Sequence, residues 1–146
     1  MTEQTDPTVS SVAITSVTGI QDNWTNAGDI VYATAVFNKS VFGDNASGTT
    51  TLTIVVGSDN RTATYVSGSN STALVFRYTI QSGDTDDNGT SIRANALALN
   101  SGTIRDASGN YATITHNSVP DNDSYMVATP APTLEEFYTF TVDASS

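Results

Sequence analysis

Period-two alternation is the feature that most restricts this chain. VSSVAITSV (9–17), DIVYATAVF (29–37), TTLTIVV (50–56), RTATYV (61–66), TALVFRYTI (72–80), SIRANALAL (91–99) and YATIT (111–115) alternate apolar with polar residues or are rich in β-branched and aromatic ones. That pattern marks half-buried strands. Between them lie turn clusters, among them TGIQDNWTNAG, FGDNASG, SGSNS, SGDTDDNG and DASGN, where Gly, Asn and Asp supply positive φ and side-chain-to-backbone bonds. No stretch sustains a 3.6-residue period. Strands recurring every 8 to 15 residues with such turns predict an all-β antiparallel sandwich.

The inward positions are set by the alternation. They are Val12, Ile14, Val31, Ala33, Ala35, Phe37, Leu52, Ile54, Tyr65, Leu74, Phe76, Tyr78, Ile80, Ile92, Leu97, Leu99, Ile104 and Ile114, enough for a core between two sheet layers. A chain of 146 residues fits one domain and can bury roughly 70% of its unfolded surface. It needs no staples, and with no cysteine it has none. That also excludes thiolate zinc sites and thiol nucleophiles.

Fifteen acidic residues against five basic ones give a net charge of −10. Lys39, Arg61, Arg77, Arg93 and Arg105 are scattered singly, whereas a nucleic-acid binder needs clustered cations. Nucleic acid is therefore not expected as a partner. Membrane insertion is not expected either, since no apolar run approaches the roughly 20 residues of a membrane span. The start MTEQTDPTVSS has neither the basic nor the apolar part of a Sec signal peptide.

The organisation expected is an N-terminal arm (1–8), a sandwich (9–127), a Pro-containing linker (128–133) and a C-terminal extra strand or tail (134–146). In the tail, Tyr138, Phe140 and Val142 alternate with Thr139 and Thr141, with Phe137 beside them. Such a strand either pairs with its own domain or adds to the edge of a neighbouring subunit.

SGDTDDNGTSI (82–92) is the densest acidic run. Asp84, Asp86 and Asn88 fall at positions 1, 3 and 5 of a D-x-D-x-N-G loop, with the Thr90 carbonyl further on. Calcium takes six to eight hard oxygens, and this spacing offers several. Position 12 is Asn95, not a bidentate Glu, so a remote carboxylate would have to close the site. Asp87, Asp121, Asp123 and Asp106 are the candidates. The alternative is a polar turn between two strands. Asp106 in IRDASGNY and Asp29 in AGDIV read as turn residues. Trp24, the only tryptophan, sits in a polar loop. It is either a platform for glycan or protein or a lid over the open end of the sandwich. His116, the only histidine, has no serine elbow and too few companions for zinc. No catalytic residues and no enzymatic activity are expected. The N-x-S/T sequons arise from a composition rich in Asn, Ser and Thr.

The segments NAGDIVYATAVFNKSV, YVSGSNSTALVFRYTIQSGDTDDNGTSI and ANALALNSGTIRDASGNYATITHNSVPDNDSYMV resemble the bacterial Ig-like repeats of giant surface adhesins. These include repeat-in-toxin adhesins and large cyanobacterial cell-surface proteins. The resemblance covers about residues 7–127 and implies an Ig-like β-sandwich without enzymatic activity, used as a spacer, stalk or ligand-binding module and often stiffened by calcium. In the family's tandem pattern a short joint leads into the next copy. Here ATPAPTLEEFYTFTVDASS stands in its place. That departure, with the Met start, favours a stand-alone protein such as a phage virion decoration or fibre-type component with protein partners or self-assembly. The alternative is a calcium-stiffened adhesin module binding glycan or peptide. The corresponding location is a virion, or the extracellular side of a cell surface.

Overall fold

The computed structural model describes residues 6–44 and 48–128. They contain eleven strands: β1 (Val9–Val17), β2 (Trp24–Thr25), β3 (Ile30–Asp44), β4 (Thr51–Val56), β5 (Asp59–Ser67), β6 (Ser71–Thr79), β7 (Thr90–Ile92), β8 (Leu97–Ala98), β9 (Thr103–Arg105), β10 (Val119–Asn122) and β11 (Met126–Val127). The main sheet runs β1-β3-β6-β5-β4-β7-β10, with β8 added to β4 and β9 to β3. All its pairings are antiparallel. β2 and β11 form a short parallel pair. The fold is thus all-β, antiparallel and sandwich-like.

β3 shows how one sheet encloses a core. Its 15 residues are too many for a single flat pairing. Ile30–Val36 pair with β6, the register then breaks, and Val41 next meets Ser71. Phe42–Asp44 pair instead with β9. A register break of this kind bends a strand and raises its twist. The odd-numbered residues Val31, Ala33, Ala35, Phe37 and Val41 stay buried on both sides of the bend, so both halves face one interior.

Most of the expected inward set is buried; Tyr65, Leu99 and Ile114 are only half-buried and pack against the core. Val41, Val55, Val56, Ala63 and Val127 join it. Two expected strands differ. Residues 91–99 split into β7 and β8, because Asn95 turns to φ 59 and its Oδ1 accepts the His116 N–H at 3.0 Å. Residues 111–115 make only isolated bridges, Tyr111 with Arg105 and Thr113 with Thr8. The loop read as QDNWTN holds β2. The expected C-terminal strand, with Phe137, Tyr138, Phe140 and Val142, lies outside the described residues.

Candidate functional site: the acidic loop and the chain exit

The loop between β6 and β7 carries the acidic run, and its two central acids are buried. Asp84 is 2% exposed and Asp86 3%. Buried carboxylates persist only when hydrogen-bonded, and both are.

Asp84 meets a pair of side chains from β5 and β6. Its Oδ1 accepts Arg61 Nε at 2.9 Å and lies 2.8 Å from the same guanidinium's terminal nitrogen. Its Oδ2 accepts the Tyr78 hydroxyl at 2.5 Å and the Gln81 N–H at 2.9 Å. β5 and β6 are neighbours in the sheet, which is why one carboxylate reaches donors from both. Burial pulls the Asp84 carboxyl upward, but Tyr78, the Gln81 N–H and Arg61 outweigh it and hold it below the ordinary aspartate value. Burial, then the hydrogen bond to Asp84 and its charge, push the Tyr78 phenol up to about 12.

Asp86 binds backbone instead. Its Oδ2 accepts Gly57 N–H at 2.7 Å; its Oδ1 accepts Gly89 N–H at 2.8 Å and Asn88 N–H at 3.3 Å. Burial drives this carboxyl above the ordinary value; the three amides pull against it, and the charge of Asp121 adds to the rise. Both glycines sit at positive φ, +66 and +105. A Cβ on Gly57 would stand 2.4 Å from the Thr85 carbonyl oxygen, and one on Gly89 2.0 Å from that of Asn122. Only glycine brings these amides to Asp86 without displacing backbone.

The same loop holds the end of the described chain. Asp86 and Val127 exchange two backbone hydrogen bonds, each 2.8 Å. Met126 N–H donates to Asn23 O at 2.8 Å, Ala128 N–H to Thr25 O at 3.0 Å, and the buried Thr25 hydroxyl to Met126 O at 2.9 Å. Trp24 pairs with Met126. Trp24 is half-buried and lines a cleft of about 440 Å³ with Asp59, Asp86, Asp87 and Val127. The acidic loop, the β2 loop and the exit therefore form one clasp.

The D-x-D-x-N spacing leaves two readings, one ion shared by Asp84, Asp86 and Asn88 or a polar turn between strands. The structure gives the two aspartates separate protein donors, and among the described residues no group of three or more Asp, Glu, His or Cys side chains is placed to hold a metal. Asp87, Asn88, Asp121 and Asp123 are exposed, and Thr90 is buried. Asp106 caps its hairpin by accepting Ser108 and Asn110 N–H at 3.0 and 2.9 Å, and pairs with Lys39 at 3.4 Å. Asp29 accepts Asn26 N–H at 2.9 Å. Both are turn residues, and Asp106 does not reach over to close the acidic loop. His116 Nε2 accepts the Ala96 N–H at 2.8 Å, so Nδ1 carries the proton and donates to Asn117 O at 2.7 Å; both ring nitrogens are used.

Sequence reasoning misses Arg61 and Tyr78 as the partners of Asp84, since Tyr78 reads as core and Arg61 as one scattered cation. It also misses a surface row in which Phe42 pairs with Arg105 and Arg105 bridges to Tyr111. Directly opposed residues share a sheet face. Phe42 is 37% exposed and Tyr111 59%. No signal at 42, 105 and 111 links them before the pairing is known. The chain matches no family model, no curated protein and no solved structure.

Proposed function

We propose that this chain is a non-enzymatic structural module displayed on or decorating a large assembly, of the phage virion decoration or fibre type. Its subunit contacts are made in part by addition of the C-terminal segment to a neighbour. The observation that carries this reading is the clasp at the exit. Four backbone hydrogen bonds and the Thr25 hydroxyl fix Met126–Ala128 to the domain. The chain beyond residue 128 therefore leaves from a fixed point, as a segment that grasps a neighbour requires. The buried acids support the same reading, since Asp84, Asp86 and Asp106 accept internal donors and hold loops in place.

The test is the mass of the intact chain in solution, compared with a chain ending at residue 128. The intact chain is expected to self-associate. The shortened one is expected to run as a single copy, with its melting temperature nearly unchanged because the clasp residues remain. A single copy for both, or the same oligomer for both, contradicts the proposal.

A second reading, an adhesin module for glycan or peptide, is favoured by the Phe42–Arg105–Tyr111 row. Exposed aromatics beside a cation are common anchors of binding surfaces. On that reading the ligand docks at this row, away from Trp24.

A further inference from the structure

We infer that this window accepts residues Phe137–Val142 of a second copy of the chain as an added strand. The window Val9–Ile14 and the segment FYTFTV are each six residues long, about 20 Å as a strand. Main-chain bonds to an open edge give such additions their affinity, and alternate side chains give them specificity. Tyr138, Phe140 and Val142 form one face of the segment and match the half-buried apolar residues of the seam. Thr139 and Thr141 form the other, beside the exposed Ser10 and Ser11. The donor is a second copy because self-insertion requires the chain to reverse just after Ala128. The sequence there is Thr-Pro-Ala-Pro, and residues preceding proline favour extended backbone. This inference rests on the proposed function and adds the place where the segment docks.

The test uses the intact chain, which has no cysteine of its own. One variant carries Ser11→Cys and another Thr139→Cys, and the two are mixed under mild oxidation. The inference predicts a covalent two-chain species in much higher yield than from a mixture of Ser58→Cys and Thr139→Cys. It also predicts that the double variant Ser11→Cys/Thr139→Cys links between chains. An internal disulfide in a single-copy double variant overturns the inference, because the edge is then filled by its own tail. Tail-dependent self-association without the 11–139 link overturns the edge assignment alone. An intact chain that never associates overturns both this inference and the proposed function.

Discussion

Replacing Asp84 by alanine is expected to lower the melting temperature by roughly 10 °C. The change removes the acceptor of Arg61, Tyr78 and Gln81 at once. Breaking a buried ion pair by deleting one partner costs about 3–5 kcal/mol. Arg61 is 35% exposed and relaxes into water, which places the effect near the lower end, about 3 kcal/mol. For a domain of this size that corresponds to roughly 10 °C. The pH dependence has a fixed sign. The Asp84 carboxyl is lowered in the folded state, so its contribution is present above the unfolded value and is lost as pH falls through the folded one. The gap between wild type and Asp84→Ala therefore narrows in acid. The Tyr78 phenol is raised from 10.0 to about 12, so its contribution is intact below pH 10 and is lost as pH rises from there through about 12. Asp86, raised by burial, runs opposite to Asp84: its share falls as pH rises through its folded value. Melting curves across pH check all three signs. A shift under about 2 °C in Asp84→Ala at neutral pH would contradict the buried pair.

Gly89→Ala is expected to be the most damaging single change in the loop, about 4 kcal/mol or more, at the rare end for point variants. Gly89 has φ +105, and an added Cβ would stand 2.0 Å from the Asn122 oxygen and 2.2 Å from its carbon. Those are backbone atoms of β10, which cannot rotate away. Relief requires moving β10 off β7 or withdrawing the Gly89 N–H from Asp86. Gly83 is the internal control. It has φ +96 in the same loop, but nothing lies within 4 Å of its added Cβ. Gly83→Ala should cost only the conformational term, about 1–2 kcal/mol. Chemical denaturation of the two variants separates steric from conformational cost. Equal losses would mean that the loop and β10 are not packed as described.

The strands were legible where alternation was regular. VSSVAITSV coincides with β1, and the pattern in β3 and β6 names Val31, Ala33, Ala35, Leu74 and Phe76 as core. Alternation reports one strand's two faces and nothing about its neighbours. It therefore runs through Asn95, where a left-handed residue separates β7 from β8, and stops at Phe37, although β3 continues past its bend to Asp44. The acidic loop was legible as a special place and not as a clasp. Its spacing shows only which oxygens lie close in sequence. Arg61 lies 23 positions before Asp84, and Gly57 lies 29 before Asp86. Only the pairing of β5 with β6 and the turn after β4 bring those donors in. The surface row of Phe42, Arg105 and Tyr111 was hidden for the same reason.

In this fold SGDTDDNGTSI holds its shape through protein donors. The most direct test is thermal unfolding of the intact chain in excess EDTA and again in millimolar calcium. Superimposed curves are predicted, because Arg61, Tyr78 and the amides of Gly57 and Gly89 already occupy the two carboxylates. An ion bound at a hundredfold excess over its dissociation constant would add roughly 2.7 kcal/mol, a rise of about 5 to 10 °C. A rise of that size, lost in Asp84→Ala and Asp86→Ala, would contradict the clasp and make the loop a calcium site.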